Sequence, residues 1–162
     1  MILLDQDRTQ RTLVRMAFQI IEKAAGDPLC LVGINERGYA VASVLKRIIA
    51  ENREEPVHLV SLNADDDSQK PISPPVNGRA ILVMVDDVIF SGRTMYRAIQ
   101  KVQNLNQFRK TIVATLADRG HRTLPIYAEI VGLDVPTKLN EHVECVLHQQ
   151  NPHQVILTRN TN

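Results

Sequence analysis

The sequence predicts an α/β fold in which helices cover both faces of a central, mostly parallel sheet. Short continuous apolar runs alternate along the chain with segments whose apolar residues recur at helical spacing. Such runs are typical of parallel strands buried on both faces, and the alternation is typical of crossovers that place helices on those faces. The 162 residues suit a single domain, 1–162, with a core of about residues 1–125 and an appended strand-rich part of about residues 126–162.

The composition is that of an ordinary globular protein. Apolar residues make up 44% and charged residues 23% of the chain, which excludes disordered and collagen-like classes. A net charge of +1 gives no overall indication of nucleic-acid or membrane binding. No apolar stretch approaches the roughly 20 residues that span a bilayer, and Cys30 and Cys145 lie singly in apolar runs, as buried reduced thiols do. We therefore expect a cytoplasmic protein without a membrane segment.

The first half of the chain contains two predicted helix–strand units. Apolar residues at helical spacing predict a helix through Leu13–Ala24, which the sequence Gly26–Pro28 ends. A fully apolar strand follows at Leu29–Ile34. A second helical pattern runs through Val41–Ile49, and Val57–Leu62 is predicted to be the next strand.

The second half begins with Asn63–Arg79, which has few apolar residues and is predicted to be an exposed loop. Loops of this length in compact domains are often functional. Ala80–Val85 is the strongest strand pattern in the chain, and Met95–Leu105 predicts a helix after it. Thr111–Leu116 is another strand of the buried type. The tail from residue 126 has short apolar runs that are interrupted by Gly132, Pro136 and Pro152, which predicts the appended strand-rich part.

The segment Ile81–Thr94, with the sequence ILVMVDDVIFSGRT, contains the residues most suited to chemistry. Its apolar run delivers Asp86 and Asp87 to the carboxyl end of a central strand, the edge where open α/β sheets bind ligands. Two carboxylates suit sugar hydroxyls or a Mg²⁺ ion rather than a phosphate.

The loop after the acid pair is suited to an anion. Ser91 and Thr94 supply hydroxyls at the start of a helix, whose free N–H groups and dipole favour negative charge. Gly92 allows the backbone to approach a ligand closely, and Arg93 either adds a charge or faces solvent. A plain helix cap at Ser91 with a turn at Gly92 is the alternative interpretation, but the preceding strand and acid pair favour a binding site.

A second strand–helix turn is expected at the same edge of the sheet. There Asn35, Glu36, Arg37 and Gly38 open a helix, and Arg37 is suited to bind a pyrophosphate. An ordinary turn with an exposed arginine is the alternative.

The segment Ile81–Thr94 resembles the phosphoribosyl pyrophosphate (PRPP) motif of type I phosphoribosyltransferases. The resemblance implies that Asp86 and Asp87 bind the ribose hydroxyls as catalytic residues, with Mg²⁺ held through substrate or water. It further implies that Phe90 lies in the nucleotide site and that the 5-phosphate is bound by Ser91, Gly92, Arg93 and Thr94.

Within that group, the chain most resembles the pyrimidine-operon regulator/uracil phosphoribosyltransferase (PyrR) family. Leu31–Gly38 is similar to the family's pyrophosphate loop, Asp118–Ile126 to a family signature, and Val131–Thr137 to its hood, which lies over the base. The resemblance implies that Asn35, Glu36, Arg37 and Gly38 bind pyrophosphate, with Arg37 catalytic. It also places Ile130 and Val131 at the base, in a hood of about residues 126–162.

The function implied is transfer of phosphoribosyl from PRPP to uracil, giving UMP and pyrophosphate with Mg²⁺, by a homodimer or homotetramer. The alternative is a nucleotide-responsive, RNA-binding regulator of pyrimidine genes with weak or no catalysis. A third hypothesis, an interaction protein that has lost ligand binding, is disfavoured by the intact Asp86–Thr94 motif.

Three departures from the family pattern qualify these expectations. Phe90 stands where purine-specific relatives carry an aspartate and the regulators usually a tyrosine, which disfavours hypoxanthine and guanine. The loop Asn63–Arg79 is shorter than the family's closing loop, which predicts reduced turnover. Arg8, Arg11 and Arg15 could contribute to an RNA-binding face, but Val14 and Phe18 beside them replace polar residues, and the excess charge is a single unit.

Overall fold

A five-stranded parallel sheet forms the centre of the computed structural model, which describes residues 1–76 and 78–160. The strand order is β3-β2-β4-β5-β6, and a second, antiparallel sheet has the order β1-β8-β7. The bounds are β1 Ile2–Leu4, α1 Gln6–Ala24, β2 Leu29–Ile34, α2 Asn35–Asn52, β3 Val57–Leu62, β4 Ile81–Ile89, α3 Arg93–Gln100, β5 Lys110–Asp118, β6 Ile130–Asp134, β7 Glu141–His148 and β8 Asn151–Arg159.

The central sheet is buried on both faces, which confirms the predicted α/β class. Along β2, Leu29 and Leu31 pack with the buried residues of α1 and α2, whereas Cys30 and Val32 pack with those of α3. All six residues of β2 are buried. The continuous apolar run therefore reflects two cores, one on each side of the sheet.

The crossovers of this sheet change direction between β2 and β4. The chain passes from β2 through α2 to β3 on one side, and from β4 through α3 to β5 on the other. Such a switch leaves a crevice at the carboxyl ends of the two strands, where ligands bind in open α/β sheets. Gly38 is required beside this crevice, because a Cβ atom there would lie 2.8 Å from the carbonyl oxygen of Val85 and 3.2 Å from Cα of Asp86.

The strand-rich C-terminal part differs from the expectation. Ile130–Asp134 is not part of an appended hood but is the edge strand β6 of the central sheet, parallel to β5. Gly132, which suggested a break, is needed inside this strand because a Cβ atom would lie 2.8 Å from Cγ2 of Thr12 and 3.0 Å from Sδ of Met16. The remaining hood is the antiparallel sheet, and it includes β1 from the other end of the sequence. Residues 161 and 162 of the expected hood lie outside the described residues.

The loop Asn63–Arg79 is bound to α3 and to the segment that follows it. Ile72 forms a parallel bridge with Val102, with hydrogen bonds from the Ile72 N–H to the Lys101 carbonyl and from the Gln103 N–H to the Ile72 carbonyl. The helix predicted as far as Leu105 accordingly ends at Gln100, since the following backbone pairs with this loop. Residue 77 of the loop lies outside the described residues.

Candidate functional site

The two acidic residues lie inside β4, at the crevice between β2 and β4. Asp86 is only 5% exposed, and its Oδ1 accepts a hydrogen bond from the backbone N–H of Asp87 at 2.9 Å. Burial raises the pKa of Asp86 well above its ordinary value, and the neighbouring charge of Asp87 raises it further. Burial also raises the pKa of Asp87, although hydrogen bonds to its carboxylate and the charge of Arg37 oppose this effect. Both acids therefore favour ligands that bring hydrogen-bond donors or positive charge.

The predicted phosphate loop, residues 91–94, comes shortly after the acid pair. It lines a small cleft of ≈ 120 Å³. Gly92 has φ +89°, and a Cβ atom there would lie 2.9 Å from the side chain of Ile126, so both the backbone angle and the close packing require glycine. Ser91 Oγ accepts a hydrogen bond from the Arg93 N–H at 3.2 Å, and the next N–H groups of α3 have no acceptor within the helix. The cleft brings together Asp86, Phe90 and the residues predicted to bind the 5-phosphate, which are Ser91, Gly92, Arg93 and Thr94.

Arg122 holds this loop against the end of β5. Its guanidinium donates to both carboxylate oxygens of Asp118, at 3.0 and 2.7 Å, and to the carbonyl of Phe90 at 2.8 Å. Its Nε donates to the carbonyl of Ile126 at 2.9 Å. The side chains of Arg122 and Asp118 are 23% and 17% exposed, so the contact is largely shielded from water. Sequence reasoning assigned no role to Arg122, and the structure shows that it fixes the backbone on which the phosphate loop begins.

Phe90 is partly exposed and contacts two cationic or polar side chains. The guanidinium carbon of Arg119 lies 4.0 Å from the centre of the Phe90 ring, and the His121 ring meets it edge-on at 5.9 Å between centroids. Arg119 in turn donates a hydrogen bond to the hydroxyl of Thr137 at 3.2 Å, and the His121 ring is hydrogen-bonded to the carbonyl of the same residue. Phe90 is thereby held at the mouth of the cleft with 39% of its surface free.

The predicted pyrophosphate loop opens α2 on the other side of the acid pair. Asn35 adopts φ +57°, a left-handed conformation that asparagine tolerates better than most residues. Glu36 is exposed. The Arg37 guanidinium donates to the carbonyl of Cys145 at 3.1 Å and to the carboxylate of Glu144 at 2.7 Å, both on β7. Arg37 thus lies between the acid pair and the antiparallel sheet.

The sequence profile of the phosphoribosyl transferase domain matches residues 2–149. The chain belongs to the phosphoribosyltransferase family. A protein named bifunctional protein PyrR from Haemophilus ducreyi is 35% identical, over 99% of this chain and 98% of its own length. One of the same name from Caldicellulosiruptor saccharolyticus is 36% identical over 96% of this chain and 93% of its own length. These matches place the chain among the PyrR proteins of this family.

Solved structures of the phosphoribosyltransferase fold support the same architecture. A hypoxanthine-guanine phosphoribosyltransferase from Bacillus anthracis superposes with a TM-score of 0.71 over 98% of both chains, at 19% identity. A hypoxanthine phosphoribosyltransferase from Staphylococcus aureus superposes with a TM-score of 0.73 over 98% of this chain and 91% of its own, at 17% identity. At such identities the likeness concerns the fold alone.

Within this phosphoribosyltransferase, the residues assigned to the base need correction. Ile130 is 1% exposed, and its side chain packs in the core on the α1 side of the sheet. It pairs with Ala114, well before the carboxyl end of β6, which is Asp134. Val131 lines a wider cleft of ≈ 760 Å³ along the free edge of β6, together with Asp118.

Several residues that shape the site act across elements, and sequence reasoning missed them. Arg119, Glu144 and Asp65 each contact a predicted site residue from another part of the chain. A partial signal existed for Arg119, which lies in the stretch that resembles the family signature. Within the described residues, no helix is long and apolar enough to span a bilayer, and no group of three or more His, Cys, Asp or Glu side chains forms a ready metal site.

Proposed function

We propose that this phosphoribosyltransferase transfers the phosphoribosyl group of PRPP to uracil, giving UMP and pyrophosphate. The observation that carries the proposal is the position of the acid pair. Asp86 and Asp87 lie at the crevice where the crossovers change direction, with an anion-binding helix start on one side and the Arg37 loop on the other. A ribose ring bound by the pair would direct one phosphate group to each loop.

The proposed reaction breaks the bond from the anomeric carbon to pyrophosphate and forms a bond to a ring nitrogen of uracil, whose proton leaves to solvent. Positive charge develops on the sugar as the leaving group departs. Asp86 and Asp87 would hold the ribose hydroxyls, and the cleft Phe90–Thr94 would hold the 5-phosphate, so that the reacting atoms are fixed in place. Arg37 would counter the charge of the departing pyrophosphate.

The acid pair also fits a Mg²⁺ ion brought by PRPP. Carboxylate oxygens are ligands that Mg²⁺ prefers, and a cation would relieve the repulsion that helps to raise the pKa of Asp86. Because two carboxylates are too few for an octahedral ion, phosphate oxygens and water would supply the other ligands. Bound there, Mg²⁺ would neutralise charge on the leaving group.

Phe90 supports a pyrimidine rather than a purine. Its ring has no hydrogen-bonding group for a purine ring nitrogen, and contacts with Arg119 and His121 hold it at the cleft. A flat aromatic surface with 39% exposure would contact the sugar or a small base without polar recognition.

The test is product formation from labelled PRPP and Mg²⁺ with uracil, hypoxanthine or guanine. We expect UMP with uracil and little product with the purines, and we expect Asp87→Ala to abolish it. Binding of UMP or PRPP without product from any base would refute the enzyme and leave a nucleotide-binding regulator. Product with a purine but not uracil would refute the base assignment.

RNA binding is the second candidate, because Arg8, Arg11 and Arg15 line one surface depression of ≈ 360 Å³. Arg15, however, already donates to the carbonyls of Val131 and Gly132 on the free edge of β6. With two arginines available, the affinity for a single-stranded RNA should fall with salt at a logarithmic slope of about −1.4. A flat slope between low and moderate salt would exclude this candidate.

A further inference from the structure

One carboxylate joins the predicted pyrophosphate loop to the helix that follows the phosphate loop. Asp65 Oδ2 accepts a hydrogen bond from Nδ2 of Asn35 at 2.9 Å. Its other oxygen, Oδ1, accepts one from Nη2 of Arg97 on α3 at 2.6 Å. Asp65 therefore bridges the residue that opens α2 and a residue on α3, across the crevice of the central sheet.

The conformation of Asn35 depends on this neighbourhood. Its φ of +57° is uncommon for a residue other than glycine and persists where surrounding contacts impose it. Both polar atoms of its side chain are bonded to the same segment, since Oδ1 accepts from the N–H of Ala64 at 2.8 Å and Nδ2 donates to Asp65. Because Asn35 directly precedes Glu36 and Arg37, its backbone angles set the direction of the first N–H groups of α2.

The segment that carries Asp65 is itself fixed to the residues that directly follow α3. The ammonium group of Lys101 donates to the carbonyls of Asn63 at 3.3 Å and Asp66 at 2.8 Å. The bridge between Ile72 and Val102 holds the loop further along. The position of Asp65 is therefore imposed by α3, and Asn35 is positioned relative to α3 through it.

We propose that Asp65 is a positioning residue for the pyrophosphate group of PRPP, which holds Asn35 and hence the pyrophosphate loop at a fixed place relative to the phosphate loop. The inference rests on the proposed function and adds a residue to it. In the described parts of the chain, the Asp65 carboxylate bonds to Asn35 and Arg97, and none of its hydrogen bonds goes to Asp86, Asp87 or the phosphate loop. Ligands without a pyrophosphate should therefore depend on it only through its charge, which adds to the burial and the Asp87 charge that raise the pKa of Asp86.

Positioning and simple electrostatics make opposite predictions for Asp65→Asn. Removing a negative charge near a polyanion favours binding of that polyanion, whereas loss of the bridge disfavours it. Asn35 and Arg97 donate to different oxygens of Asp65. An amide replaces one of these acceptor oxygens with an NH₂ donor, so one of the two bonds is lost. The charge effect is weak because the side chains of Asp65 and Arg97 are 56% and 50% exposed.

The experiment compares the affinities of wild type, Asp65→Asn and Asp67→Asn for PRPP and for UMP, each with Mg²⁺, by calorimetry. Asp67 is the matched control, since it is an exposed acid on the same loop. We expect Asp65→Asn to weaken the affinity for PRPP about three- to tenfold, the range for an exposed charge-assisted hydrogen bond. The affinity for UMP should stay within about twofold of the wild-type value. Asp67→Asn should leave the affinities for both ligands within about twofold of the wild-type values. In turnover, KM for PRPP should rise while kcat stays nearly constant.

Asn35→Gly is the second variant, because glycine adopts the same φ but lacks the side-chain bonds. It should reproduce the selective loss of PRPP affinity. Unchanged or tighter PRPP binding in both variants would overturn the inference, as would an equal loss for PRPP and UMP, which would indicate a general structural role. If the wild type bound neither ligand, the proposed function would fail, and this inference with it; normal wild-type binding with unaffected variants would refute the inference alone.

Discussion

Arg122 offers the sharpest test of how the phosphate loop is held. Arg122→Met removes four hydrogen bonds, to the two oxygens of Asp118 and to the carbonyls of Phe90 and Ile126. At about 1 kcal/mol each, the upper value is about 4 kcal/mol. Asp118 keeps the bond from the N–H of Gly120 at 3.0 Å, and both side chains reach some water, so we expect a loss of about 2–3 kcal/mol in the free energy of unfolding.

The assay is urea unfolding together with UMP binding. For a chain of this length, the predicted loss corresponds to a fall in Tm of about 5–10 °C. UMP should bind about tenfold more weakly, since the freed loop must be ordered on binding, at a cost on the order of 1.4 kcal/mol. Arg11→Met is the control, because it makes the same chemical change at an exposed position on α1. A variant within about 0.5 kcal/mol of wild type, with unchanged UMP affinity, would refute this account.

Three further predictions concern charge and burial. Because burial raises the pKa of Asp86, its contribution to stability is present below the unfolded pKa and is lost as pH rises through the folded pKa. In urea titrations, Asp86→Asn should therefore gain stability relative to wild type as the pH rises above about 4, the ordinary pKa of an aspartate, while losing PRPP binding; a difference in the free energy of unfolding that does not change with pH would contradict the raised pKa. Glu144→Gln should release Arg37 and raise the affinity for PRPP by up to about fivefold, while the affinity for UMP stays unchanged. The gain is limited because the ion pair is about half exposed; weaker PRPP binding would show that Glu144 orients Arg37 instead. Burial raises the pKa of Cys30 to about 11 and that of Cys145 to about 12, so both thiols should resist alkylation at pH 8 until urea unfolds the chain; rapid native labelling would contradict their burial.

The sequence predicted well those features that are encoded locally. β2 and β4 are apolar on both faces, and the acid pair and phosphate loop are contiguous with β4, so periodicity and a short motif were sufficient. The signals failed where a contact joins distant residues. β1 has only three residues and exists because it pairs with β8, so no local pattern indicates it.

The residues of the site also divide into those encoded locally and those brought together by contacts between distant parts of the chain. Asp86, Asp87 and the loop to Thr94 were predicted as a unit, and the structure brings Asp86 and the loop into one cleft, which Asp87 does not line. Glu144 and Asp65 contact site residues more than 25 positions away along the chain, where spacing carries no information. Gly132 was misleading for a physical reason, since a glycine inside a strand can mark close packing rather than a turn.

The pairing of β1 with β8 has a consequence for how the protein is made. Ile2 is paired with Ile156, and β7 lies on the other side of β8 in the same sheet. On a ribosome, the central sheet as far as β6 can assemble before these last strands emerge. The partners of Arg37, Glu144 and the Cys145 carbonyl, belong to β7, so a nascent chain carries Asp86 and Asp87 before it has set the arginine beside them. The contacts that hold Arg37 in place are thus formed only after β7 has been synthesised.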